Sequence, residues 1–103
     1  MEPQKTELIF TQLVGMFHAA AMQQMGKLKN PLTGNVERDL SQAQVSIDIL
    51  EMLKEKMKGN LRPEEDRFLN GVLSELKLNY VDEINKSQSG KSDDQAESKP
   101  EGQ

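Results

Sequence analysis

The 103-residue chain has no cysteine and no tryptophan, and only one tyrosine, one histidine and three phenylalanines. Without cysteine there can be no disulfide, no thiolate metal site and no thiol nucleophile. A single histidine, His18, leaves little from which to build a multi-histidine metal centre or a nucleophile–base pair. With so few aromatics, any core must be made of Leu, Ile, Val, Met and Ala, which suit helix packing better than an aromatic-rich sheet. Excess positive charge is missing too. The net charge is −4, with 10 basic and 13 acidic groups over residues 1–85 and 3 and 4 beyond them. An acidic body argues against a nucleic-acid partner. The opening MetGluProGlnLysThrGlu carries acids and no run ending at a small-residue cleavage site, so it does not read as a signal peptide, and a cytoplasmic location is expected.

The other absence is local. Leu8 to Gly26 contains no charged residue, although 29% of the chain is charged. Its apolar positions recur with helical spacing, predicting a first helix over 5–28. At about 100° per residue, Ile9, Phe10, Leu13, Val14, Met16, Phe17, Ala20, Ala21 and Met25 sweep half the circumference, interrupted only by Gln24. The opposite side is uncharged as well, and sets Thr11, Gly15 and Ala19 four residues apart beside His18 and Met22. Stripes of small residues allow another helix to approach closely. Nineteen uncharged residues approach the length of a membrane span, but Thr11, Gln12, His18, Gln23 and Gln24 would need partners in hydrocarbon. Membrane contact is therefore not expected.

Asn30-Pro31 blocks helix before the proline, and Thr33-Gly34-Asn35 supplies turn and capping chemistry. These residues predict a rigid corner with Leu32 turned inward. A second helix is predicted over 35–58, ending at Gly59 with Lys54, Lys56 and Lys58 complementing its dipole. Val36, Leu40, Ala43, Ile47, Leu50 and Met57 form its heptad seam. Val45, Ile49 and Met52 make a second apolar stripe on the far side, which a three-helix hairpin cannot bury together with the first. Pro63 opens the third helix, predicted over 63–85, with acids in its first turn. From Lys86 the chain holds no hydrophobe beyond one Ala, so 86–103 is expected to be a disordered, polar and acidic tail.

Candidate chemistry is sparse. The carboxylates of helix 2 lack the Glu-x-x-His pattern of a diiron bundle, so neither a metal nor another cofactor is expected. Gly90-Lys91-Ser92 imitates the end of a phosphate loop, but Asn85 stands where its first glycine belongs and no strand precedes it. Lys27, Lys29 and the lysines before Arg62 are accounted for by helix-dipole complementation.

Several segments also carry a resemblance: Ala21-Met22, Gly26, Asn30-Pro31-Leu32-Thr33-Gly34, Glu37-Arg38-Asp39-Leu40, Ile47-Asp48, Glu55-Lys56, Gly59-Asn60-Leu61, Pro63-Glu64-Glu65 and Tyr80-Val81. Over residues 8–82 the chain resembles the bacterial family called domain of unknown function 1844. The AsnProLeuThrGly corner followed by GluArgAspLeu is the most specific piece. Two positions depart from the family's pattern: Arg62 replaces a capping Thr or Ser, and Met57 a usual Thr. The resemblance implies a helical bacterial protein and brings no catalytic residue.

The sequence thus predicts an all-α domain, a three-helix antiparallel hairpin over 1–85, followed by the tail. The expected function is a non-enzymatic interaction or scaffold protein. It would form a homo-oligomer or bind another protein through Thr11, Gly15, His18, Ala19, Met22, Val45, Ile49 and Met52. Two other classes compete with it: a small enzyme or ligand-binding bundle with Gln12, His18, Gln23 and Gln24 as polar groups in an apolar groove, and a peripheral membrane protein lying on helix 1.

Overall fold

Proline and glycine set the limits of the first helix in the computed structural model, which describes residues 1–89. Helix α1 runs Pro3–Met25. Pro3 occupies the first turn, where a missing N–H costs nothing. Gly26 ends the helix at φ 88°. Its N–H donates to the Gln23 carbonyl at 3.0 Å while the Lys27 N–H reaches the Met22 carbonyl at 2.9 Å. That pair of bonds is a Schellman closure, which needs the left-handed residue that glycine supplies. The helix therefore stops three residues short of the expected 28.

Helix α2 spans Leu40–Lys56, starting later than the predicted Asn35. The Asp39 carboxylate accepts from the Gln42 N–H at 3.1 Å and from the Ser41 hydroxyl at 2.8 Å, fixing the N-cap. Upstream backbone is already committed elsewhere. The Asn35 carbonyl accepts from the Asn30 N–H at 2.8 Å, and the Asp39 N–H donates to the Gln24 carbonyl at 2.7 Å. Val36 consequently leaves the predicted seam and is exposed in the corner.

The third helix, α3, covers Pro63–Ser89. Although Arg62 has no capping hydroxyl, the Glu65 carboxylate accepts from the Arg62 N–H at 2.9 Å, so one arm of a capping box survives. The first intrahelical bond, from the Asp66 N–H to the Arg62 carbonyl, measures 2.9 Å and fixes the start at Pro63. Four residues expected in the tail, 86–89, belong to this helix; residues 90–103 lie outside the described residues.

The three helices pack on one another around Phe10, Val14, Ala21 and Met25 of α1, Ala43, Ile47 and Leu50 of α2, and Leu69, Val72, Leu73 and Leu76 of α3. Each fully buried Leu, Val or Met contributes roughly 1.5–3 kcal/mol of burial. Gln24, the lone break in α1's apolar arc, meets buried Ser46 of α2 across a 2.7 Å hydrogen bond. That contact fixes the antiparallel register of α1 and α2: facing positions sum to about 70, which puts Met16 level with Met52 and Ala20 level with Ile49.

Candidate interaction surface

The core sits off-centre on α1's apolar arc, and this decides which α1 residues reach solvent. Buried Phe10, Val14, Ala21 and Met25 centre the inward face, so the edge of the arc at Ile9 and Met16 turns outward. Met16 is 67% exposed and Ile9 42%. Ala19 lies on the same outward side, whereas Gly15, one turn from Thr11 and His18, borders the flank towards α3, where a Cβ placed on it would meet nothing within 4 Å. Val45 and Met52 of α2 are each 46% exposed, with Ile49 half-buried between them. On α2, Ile49 lies on the flank that also carries Ser46, the side facing α1. By the register above, the outward residues of α1 and α2 form one uncharged strip along the α1–α2 side of the hairpin, with Met52 at its edge, where α2 also faces α3 across a cleft.

Not all eight predicted interface residues join that strip. Met22 packs against the core. His18 turns towards α3, its Nε2 3.3 Å from the Glu75 carboxylate. Nε2 is enclosed and has no hydrogen-bond partner among the described residues. Thr11 borders a shallow groove shared with Phe68 and Glu65 of α3. Ala19, Val45 and Ile49 remain on the strip, joined by Ile9 and Met16 of the apolar arc, while Met52 stands at its border with the α2–α3 cleft and Gly15 on the α3 flank of α1.

The corner between α1 and α2 is built differently from expectation. Leu32 is 93% exposed, not turned inward. The Asn30 carboxamide oxygen takes the Leu32 N–H at 2.9 Å and the Gly34 N–H bonds the Asn30 carbonyl at 2.8 Å, a tight turn that points the intervening side chain outwards. Glu37 closes the loop, accepting from Asn30 Nδ2 at 3.1 Å and from the Thr33 hydroxyl at 3.2 Å.

The corner is anchored by an acid on the buried face of α3, in helical register with Leu69 and Leu76. Glu83 of α3 is buried at 7% exposure and receives Lys27 Nζ at 2.9 Å, Arg38 Nε at 3.1 Å and Lys86 Nζ at 3.2 Å. Arg38 also donates to the Glu83 carbonyl at 2.8 Å. Lys27 therefore serves as a cross-helix partner of Glu83 and Asp82, beyond any dipole role. Burial pushes the Glu83 carboxyl up, but the hydrogen bonds and charges of Lys27 and Lys86 outweigh it and hold the group below its ordinary value. The hydrogen bond to Asp82, then that to Glu83, raises Lys27 well above the usual lysine value. The place of Glu83 on the buried face of α3 is legible in the spacing; its partners, 45 and 56 residues away, are not.

At the opposite end, α2 and α3 splay into a cleft of about 1020 Å³. Met57, Leu61 and Pro63 give it an apolar floor, and its rim carries Asp48, Glu51, Glu55 and Asp66 against Lys54 and Lys58. Among the described residues no group of three His, Asp or Glu side chains is placed to hold a metal, and no helix is long and apolar enough to cross a membrane.

The family model described as a domain of unknown function (DUF1844) matches residues 7–82. No curated protein and no solved structure matches.

Proposed function

Because the chain belongs to the family described as a domain of unknown function (DUF1844), a description that assigns no activity, we propose from the surface itself that it is a non-enzymatic scaffold that self-associates through the outer faces of α1 and α2. One observation carries this reading: the uncharged strip of Ile9, Met16, Ala19, Val45 and Ile49, bordered by Gly15 and Met52 and left uncovered by the chain's own third helix. Apolar surface gathered in one place gains free energy when a partner covers it, at roughly 25 cal/mol per Å² before the costs of association. The open space above Gly15 lets a second helix approach the α1 backbone closely. A second copy suits the strip because its lack of charge avoids like-charge repulsion between identical subunits. A bacterial, cytoplasmic setting fits this reading.

Light scattering over a concentration series tests it. Wild type is expected to associate, and Met16→Glu and Gly15→Leu to shift the protein to monomer. Gly15→Leu should weaken assembly more than Ala20→Leu, since Ala20 sits partly within the α1–α2 groove. A strict monomer at every concentration would sink self-association.

A further inference from the structure

We propose that the chain also joins head to tail, the Leu32 corner of one copy seating in the cleft between α2 and α3 of the next. The inference rests on the self-association reading but uses a different pair of surfaces. Leu32, 93% exposed, stands at the tip of a loop whose every turn is tied down, with exposed Leu28 and Pro31 beside it. Asn30, Thr33 and Glu37 fix the loop internally, and Lys27 and Arg38 lock its two ends to Glu83. A fully exposed apolar side chain on a pre-organised loop loses little further freedom on docking, which favours its use as a knob.

The cleft has the complementary character. Its volume of about 1020 Å³ admits a loop tip, and Met57, Leu61 and Pro63 offer it apolar contact. Methionine side chains adapt readily to such an insertion. Charge agrees as well. With Glu51 paired to Lys77, the rim keeps Asp48, Glu55 and Asp66 against Lys54 and Lys58, a net −1. On the loop, Glu37 keeps its charge but is held by Asn30 and Thr33, while Lys29 is exposed and has no ion pair among the described residues. Loop and cleft lie at opposite ends of the 17-residue α2, about 25 Å apart at 1.5 Å per residue. A chain therefore cannot fill its own cleft with its own corner. The contact is heterologous, so each copy offers one knob and one hole, and repetition yields a ring or an open filament.

The absence of cysteine makes a clean cross-linking test possible. Pro31→Cys is prepared in one copy and Lys58→Cys, at the cleft rim, in another; each is treated with a short bismaleimide, alone and mixed. Seating holds the two thiols at millimolar effective concentration against micromolar in free solution, so the mixture should link on the order of tenfold or more above either variant alone. Adding Leu32→Asp to the Pro31→Cys copy should remove that excess, and a Leu78→Cys partner on exposed α3 surface should not show it. Linking equal to the Leu78→Cys control, or Pro31→Cys pairing best with itself, would overturn the head-to-tail contact. Met16→Glu in both copies separates the two readings. A surviving Pro31–Lys58 link in a background that no longer associates through the strip supports the corner contact. Loss of the link only when Met16 is changed assigns assembly to the strip alone and refutes the corner contact.

Discussion

Replacing Glu83 with Gln should loosen the corner from α3 at a cost that can be worked out from its surroundings. Gln keeps the shape and one acceptor but removes the charge facing three cations at 2.9, 3.1 and 3.2 Å. Breaking a fully buried ion pair costs about 3–5 kcal/mol. Here the side chains of Arg38 and Lys86 are 39% and 62% exposed and stay hydrated after the change. The expected loss is therefore nearer about 2 kcal/mol, the scale of a charged hydrogen bond. At 4–8 °C per kcal/mol for a domain of this size, the melting temperature should fall by roughly 8–16 °C at fixed protein concentration. Urea denaturation at neutral pH and again in acid is the direct assay. The folded Glu83 pKa is depressed, so its contribution is present above the unfolded value of about 4.5 and is lost as pH falls below that value through the folded one. The gap between wild type and Glu83→Gln should accordingly close in acid. An unchanged midpoint at neutral pH, or a gap equally wide in acid, would refute the claim that carboxylate charge holds the corner.

Three further outcomes are expected. Leu50→Ala, at a side chain with no exposure, should cost about 2–5 kcal/mol in urea denaturation by leaving a cavity between the helices. Gly26→Ala should destabilise by about 1–2 kcal/mol because φ is 88° and the new Cβ would sit 3.3 Å from Arg38 Cδ. Gly15→Ala, in open space mid-helix, should instead be neutral or gain up to about 1 kcal/mol, and calorimetry on the pair separates backbone conformation from composition. Asp39→Ala should fray the start of α2, visible as faster amide exchange near Gln42. In wild type the same fraying should appear on acidification below the usual Asp value of 3.8, because the Ser41 hydroxyl, then the Gln42 N–H, depress the Asp39 pKa.

The sequence alone determined the number of helices, their order and most of the core. Period-3.6 patterning, Pro3, Gly26, Gly59 and Pro63 are local signals, and local signals suffice where backbone preference and burial agree. It also marked Val45 and Met52 as surplus apolar surface, because one hairpin cannot bury two opposite faces of α2. Tertiary structure decided the rest. Only the packing angle of α1 showed that Met16 and Ile9 fall outside while Met22 and His18 fall against the core and α3. Only contacts across 45 and 56 residues explain Glu83, an acid that helical periodicity sets on the buried face, where Arg38 and Lys27 fold against it. The corner shows the division most plainly. Its residues announced a turn, but which way Leu32 points depends on Asn30 capturing the Leu32 N–H and on the clamp at α3. The first of these is local, two residues apart, but the clamp forms only when the chain has closed on itself.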